Sequence, residues 1–334
     1  MQYRILGKTG LKVSAVGFGG IPIQRIDARG TRALMERLVE KGVNYIDTAR
    51  GYTVSESYLG EALSGGLREK FILATKSMSR GYADMARDIG ISLSNLRTDY
   101  IDLYQLHNIK SDADFELAFS AEGAVAAIQD AIRAGKVGHL GATAHSVDSF
   151  ERLLSYPEIE TIMFPYNIVE SQGEALMERA AAQNVGVIAM KPLAGGNITD
   201  GTLAMRYILQ NKTCTLAIPG MATLEEIEQN TAAAEQDGPL TPEELAACEA
   251  IRAGLSGNFC RRCGYCAPCT VGIDIPGIFT LENYLKHYDL ADWVLSRFTQ
   301  QEQQAMEEAA KRAAQAAELM VQGKIDQAMN QFNS

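Results

Sequence analysis

The chain has little of several things that would have narrowed its function at once. It carries one tryptophan, four histidines and nine prolines in 334 residues. It has no basic excess: 31 Lys and Arg stand against 41 Asp and Glu, a formal charge of −10, so it offers no electrostatic footprint for nucleic acid or an anionic membrane surface. No segment reaches the roughly 18 consecutive apolar residues of a membrane-spanning helix. The leading MQYRILGKTGLKVSAVGFGG alternates polar and apolar residues around a Lys-Thr-Gly turn and lacks the apolar stretch of a secretion signal. These absences lead us to expect a cytoplasmic protein whose partners are small molecules. In that compartment thiols stay reduced, so clustered cysteines point to metal before disulfides.

What is present is an ordinary globular balance, 46% hydrophobic and 22% charged, with a regular alternation of patterns. Short β-branched runs (VSAVGFGG, NYIDTA, FILATKSM, IDLYQLHN, HLGATAHS, TIMFPYN, VGVIAMKPL, CTLAIPG) are each followed by an amphipathic helical stretch, which makes eight pairs between about residues 13 and 236. Strands apolar on both faces that alternate with helices indicate a parallel sheet covered by helices. Eight units over this length predict an α/β fold closed as a (β/α)8 TIM barrel, typically ~250 residues. The rival, a doubly wound open sheet, would place a GxGxxG after the first strand. Here Gly17, Gly19 and Gly20 lie inside that strand or at its end. Past residue 236 the alternation stops. Residues 237–334 read as a mainly helical C-terminal extension, beginning with a helix capped by Thr241.

A barrel of this kind builds its active site at the C-terminal ends of its strands. Three expected strands end there in reactive side chains: Asp47 in NYID, Lys76 in FILATK and His107 in IDLYQLH. Tyr52 follows five residues after Asp47, on the same loop. A phenol is a weak acid near neutrality, but an adjacent ammonium favours its ionised form. Asp47 would hold Lys76 charged, and His107 would orient a carbonyl or share its proton. Such a group can protonate an alkoxide as hydride adds to a carbonyl, and the hydride must come from a cofactor.

The segments YIDTARGYTVSESYLGEAL, ATKS, DLYQLH and IPG followed by Asn230 resemble the aldo-keto reductase superfamily over about residues 1–235. In that family Asp47, Tyr52, Lys76 and His107 match the catalytic tetrad in order and spacing. The resemblance implies reversible reduction of an aldehyde or ketone with NADP or NAD bound in extended form, and an N-terminal β-hairpin plugging the barrel. It places cofactor contacts at Gly20, Asp47, Thr143, Asn167, Met190, Lys191, Pro192, Leu193, Ile218, Pro219, Gly220, Glu226 and Asn230. The chain departs from many relatives in reading Gly141-Ala142-Thr143-Ala144-His145 after strand five. Met163 stands where a Gln is usual, which leaves Asn167 as the nearest amide, and Met190 replaces a stacking aromatic. Glu226 stands where an Arg commonly meets the 2′-phosphate, and a carboxylate there points to NAD or to dual use.

Cys260, Cys263, Cys266 and Cys269 form C-x2-C-x2-C-x2-C, near the bacterial ferredoxin run. The segment resembles the C-terminal extension of an aldo-keto reductase branch with ferredoxin-like motifs, which implies one [4Fe–4S] cluster; zinc and an empty thiol patch remain alternatives. A redox- or iron-sensing binding protein that keeps the barrel and cofactor is the alternative to an enzyme.

Overall fold

A computed structural model of the chain describes residues 1–236, 238–255, 277–279, 311 and 315. The chain opens with an antiparallel hairpin, β1 (Tyr3–Ile5) and β2 (Lys12–Ser14). Its turn passes through Gly7 at φ +54°, where a Cβ would lie 2.2 Å from the Gly186 amide; only glycine allows so close an approach. Leu6 and Val13, fully buried, project into the same interior cluster as Leu103, Met163, Ile188 and Leu216, so the hairpin closes one end of the sheet. The run VSAVGFGG is therefore two elements: Val13 and Ser14 belong to the hairpin, and the barrel strand starts at Phe18.

Eight parallel strands follow in sequential order: β3 (Phe18–Gly19), β4 (Tyr45–Asp47), β5 (Ile72–Ser77), β6 (Ile101–Leu106), β7 (Val137–Thr143), β8 (Thr161–Pro165), β9 (Gly186–Met190) and β10 (Leu216–Ala217). Parallel bridges Val16 to Ala217 and Gly19 to Gly220 join the last strand to the first and close the barrel. Closure leaves no edge strand unpaired. The period-two alternation of a strand divides its side chains between interior and helical layer. On β6, Leu103 faces the interior cluster, while Tyr104 and Leu106 lie in the larger cluster with the helices.

The surrounding helices are α1 (Ala28–Glu40), α2 (Ser55–Ala62), α3 (Tyr82–Asn95), α5 (Ala124–Arg133), α6 (Val147–Leu153), α7 (Glu174–Ala182), α8 (Gly201–Gln210) and α9 (Leu224–Ala232). Between β6 and α5 stands a further short helix, α4 (Asp112–Ala118), opened by a capping box of Ser111 and Asp114. The eight-pair pattern did not include it, although Ser-x-x-Asp is a legible start signal. The last described helix, α10 (Pro242–Leu255), begins at Thr241, whose hydroxyl accepts from the Glu244 amide while Glu244 accepts from the Thr241 amide.

α10 packs Cys248, which is 1% exposed, against Ile168, Val169, Ile198 and Leu203. Arg206 on α8 fixes it with two hydrogen bonds to Glu244, 2.6 and 2.9 Å. By compactness the chain divides into Met1–Phe279 and Thr280–Ser334, and the barrel together with α10 belongs to the first unit. Among the described residues no helix is long and apolar enough to cross a membrane.

Candidate active site

Strand register sets the first half of the site. Gly19 pairs with Asp47, Asp47 with Ala74, and Lys76 with Gln105, all near the C-terminal ends of their strands. Asp47 and Lys76 are each 2% exposed, and their side chains form a closed ion pair. The Lys76 ammonium also donates to the Thr48 carbonyl at 2.8 Å and hydrogen-bonds Tyr52. Burial acts to lower the Lys76 pKa, but the facing Asp47 carboxylate and the Tyr52 hydroxyl outweigh it and hold the ammonium above its ordinary range.

Tyr52 reaches over this pair from the loop between β4 and α2, with Lys76 Nζ 4.8 Å from its ring centre. The His107 ring stands edge-on to the Tyr52 ring, centres 5.9 Å apart and planes at 89°. His107 follows β6 directly, its amide donating to the Ser77 carbonyl at 2.9 Å, and Arg80 donates to its carbonyl at 2.8 Å. Burial, with the Lys76 and Arg80 charges behind it, brings the His107 pKa down to about 3, so the ring is neutral at physiological pH. Its Nδ1 has no hydrogen-bond partner among the described residues. The four side chains singled out in the sequence are thus brought together.

The sequence reading missed Gln105. This fully buried side chain donates to the second Asp47 oxygen at 3.0 Å. Gly141 makes room for it, since a Cβ there would sit 2.2 Å from Thr161 Oγ1 and 3.1 Å from Gln105 Cγ. The signal was available: in DLYQLH an amide two residues before His107 shares its strand face.

The residues expected at the cofactor divide. Asn167 lies on the loop after β8 with all its hydrogen-bonding positions in use. Its Nδ2 donates to Glu170 Oε2 and the Lys191 carbonyl, 2.8 and 3.0 Å, and its Oδ1 accepts from the Val169 and Glu170 amides at 2.9 Å. An amide has two donors and two acceptor lone pairs, so this side chain has nothing left for a nicotinamide carboxamide. That corrects the expectation placed on it. Thr143 Oγ1 accepts from the Asn108 amide at 2.7 Å.

Glu226 is the N3 residue of a capping box on α9: its Oε2 accepts from the Ala222 and Thr223 amides, 2.6 and 3.1 Å. A helix cap explains this carboxylate without a ribose. Asn230, one turn further on, donates to the Glu226 carbonyl at 2.8 Å, while its buried Oδ1 has no partner among the described residues. That orphaned acceptor suits a donor such as an adenine amino group.

Lys191 and Ala194 adopt left-handed φ angles of +57° and +50°, so the loop Lys191-Pro192-Leu193 turns sharply after Met190, which is 9% exposed at the end of β9. Gly20, Ile218, Pro219 and Gly220 lie where β3 and β10 meet. The Gly19 amide donates to the Pro219 carbonyl, the Gly20 amide to the Asp47 carbonyl, both at 2.8 Å. Tight backbone at this seam is compatible with a flat ligand lying across it.

Among the described residues no group of three or more His, Cys, Asp or Glu could hold a metal ion. Cys260, Cys263, Cys266 and Cys269 lie outside the described residues. Cys214 and Cys248 are buried thiols, with Cys214 pushed up to about 12 by burial and donating to the Leu216 carbonyl. Neither presents a thiolate ready to ligate.

Comparison with known proteins agrees with this geometry. The family model described as Aldo/keto reductase family matches residues 15–202. A second, Peptidyl-tRNA hydrolase, matches residues 271–334, of which few are described. L-galactose dehydrogenase of Arabidopsis thaliana is 28% identical over 306 residues, covering 75% of this chain and 94% of that protein. The holo form of aldo-keto reductase AKR11C1 from Bacillus halodurans superposes with a TM-score of 0.66 at 26% identity, covering 75% of this chain and 96% of that one. A putative aldo-keto reductase from Pseudomonas aeruginosa gives 0.62 at 29% identity, covering 70% and 95%. The chain belongs to the aldo/keto reductase family, NAD(P)-dependent oxidoreductases that act on small carbonyl substrates.

Proposed function

We propose that this chain interconverts an aldehyde or ketone and its alcohol, with Tyr52 as general acid in reduction and general base in oxidation. The observation that carries the reading is the Tyr52 hydroxyl hydrogen-bonded to an ammonium that is itself buried against Asp47. A bound NAD(P)H supplies the hydride. Tyr52 delivers the proton to the oxygen, and the Lys76 charge stabilises the phenolate left behind. Asp47 and Gln105 keep Lys76 in place. His107, neutral, offers a ring nitrogen to the substrate oxygen without competing for the proton. In oxidation the same groups act in reverse.

Asn230 Oδ1, the Lys191-Pro192-Leu193 turn and the Gly19–Gly220 seam are the places that would hold the dinucleotide. Gly20, Ile218, Pro219 and Met190 border them. Met190 would pack its thioether on the nicotinamide ring, and Thr143, at the end of β7, would lie toward the same part of the cofactor. Glu226 supports NAD or dual use through its charge, since its cap leaves a carboxylate near any 2′-phosphate. Glu226→Gln keeps the cap and is expected to raise NADPH affinity relative to NADH, because it removes a like charge facing the 2′-phosphate. The four-cysteine run supports, from sequence alone, one [4Fe–4S] cluster, with zinc or an empty patch as alternatives. Iron and acid-labile sulfide in anaerobically purified protein decide among them.

The test of the principal reading is Tyr52→Phe, assayed with 4-nitrobenzaldehyde and NADH or NADPH. We expect kcat to fall by on the order of 10²- to 10⁴-fold with cofactor affinity retained. An unchanged kcat overturns it.

A further inference from the structure

The site described so far leaves one buried cluster unused, on the outer face of β5. Glu56 on α2 is 1% exposed. Its Oε1 accepts from Thr75 and Ser92, 2.8 and 2.7 Å, and its Oε2 from Asn95 and Arg50, both at 3.1 Å. Asp88 on α3 accepts from Ser77 and from Ser79, the latter at 2.7 Å. Its other oxygen lies 3.6 Å from Arg50 Nε. Arg50 therefore sits between two carboxylates, each of which also holds a residue of β5.

Those two residues are Thr75 and Ser77, the immediate neighbours of Lys76. Strand alternation turns them outward and Lys76 inward. Arg50 itself is two residues before Tyr52 on the loop between β4 and α2, and its amide donates to the Lys76 carbonyl at 2.9 Å. Further along the same loop the Tyr52 amide donates to the Ala49 carbonyl at 3.1 Å, the Thr53 hydroxyl donates to Gln24 at 2.6 Å, and Thr53 stands at φ +38°. Arg50 thus links the segment carrying the proton donor to the strand carrying its lysine, by a hydrogen bond to Glu56, a longer ion pair with Asp88 and its own backbone amide.

We propose that Arg50 is a positioning residue that fixes the spacing of Tyr52 and Lys76 by clasping Glu56 and Asp88 behind β5. This rests on the assignment of Tyr52 as the proton donor. In this role Arg50 acts through the loop and the strand rather than on the reacting atoms. A planar fork is needed to meet two carboxylates at once, which a lysine reproduces only in part.

The experiment compares Arg50→Met and Arg50→Lys, alone and in a Tyr52→Phe background, with 4-nitrobenzaldehyde as probe and NADPH binding followed by fluorescence. Arg50→Met is expected to lower kcat by more than about tenfold, with NADPH affinity within about twofold of the parent, because small displacements of reacting groups act on turnover before binding. Arg50→Lys should recover part of the rate. In the Tyr52→Phe background Arg50→Met should have no further effect on the residual rate, since its target is gone.

A folded Arg50→Met with kcat within about twofold of the parent overturns the proposal, as does the same fractional loss in both backgrounds, which marks a merely structural role. If Arg50→Met does not fold, Arg50→Met/Glu56→Gln removes the unpaired buried charge and carries the same readouts. Failure of Tyr52→Phe alone to slow turnover is a different result and overturns the assignment of the proton donor.

Discussion

The two halves of the barrel mouth use their polar side chains differently. After β4, β5 and β6, the polar groups pair with one another across strands: Asp47 with Lys76 and Gln105, Lys76 with Tyr52, Tyr52 ring against His107. At the ends of β7, β8 and β10 they bond chiefly to loop backbone: Thr143 to the Asn108 amide, Asn167 to the Val169 and Glu170 amides and the Lys191 carbonyl, Glu226 to the Ala222 and Thr223 amides. The first arrangement gathers ionisable side chains from separate pieces of chain. The second shapes loops, and among the described residues it leaves the buried Asn230 oxygen without a partner. A polar residue at a strand end therefore meets other side chains in one half and loop backbone in the other.

The sharpest way to break this contrast is at the buried pair. Lys76→Met leaves the Asp47 carboxylate with Gln105 as its remaining side-chain partner, and is expected to destabilise the fold by about 3–5 kcal/mol in chemical denaturation. Adding Asp47→Asn should restore most of that loss while activity stays absent. A loss below about 1 kcal/mol would mean the pair is solvated and the first half no different from a surface.

Asn167→Ala tests the other half. Removing a buried amide bonded on all sides should lower stability by about 1–3 kcal/mol and weaken NAD(P)H binding in step, because the loop, not the amide, meets the cofactor. Weaker cofactor binding with unchanged Tm would show a direct contact and erase the distinction.

A third test lies in pH dependence. His107 has its pKa lowered from 6.5 to about 3 by burial and the neighbouring cations. Between those values the unfolded chain takes up a proton that the folded chain refuses, so stability falls as pH drops from 6.5 toward 3. His107→Gln should flatten that part of a Tm-against-pH curve. An unchanged slope would place His107 in a more solvated setting than the one described.

Much of this was legible in order along the chain. Asp47, Lys76 and His107 end β-branched runs, and Tyr52 sits at a fixed short distance from Asp47, so topology alone sends them to one face. Gln105 and Gly141 were not singled out, because what makes them matter is a neighbour on another strand. Asn167 and Glu226 were given to the cofactor from resemblance. Local hydrogen bonds occupy both, and Asn-x-x-Glu or Thr-x-x-Glu reads equally well as ligand contact or as turn and cap until the partners are seen. Helix α4 had a start signal but only seven residues, too short for a helical period to stand out.

The sequence by itself determined the barrel and singled out the four side chains gathered at its mouth, because periodicities of two and 3.6 residues and a short strand-end motif are local properties of a chain. Only the tertiary structure decided which polar groups are committed to one another. Arg50, Glu56 and Asp88 are ordinary charges in the sequence, and they become one clasp behind Lys76 because α2, α3 and β5 meet there. Desolvation and hydrogen-bond saturation depend on neighbours distant in sequence, and these are what separate a reacting group from a structural one.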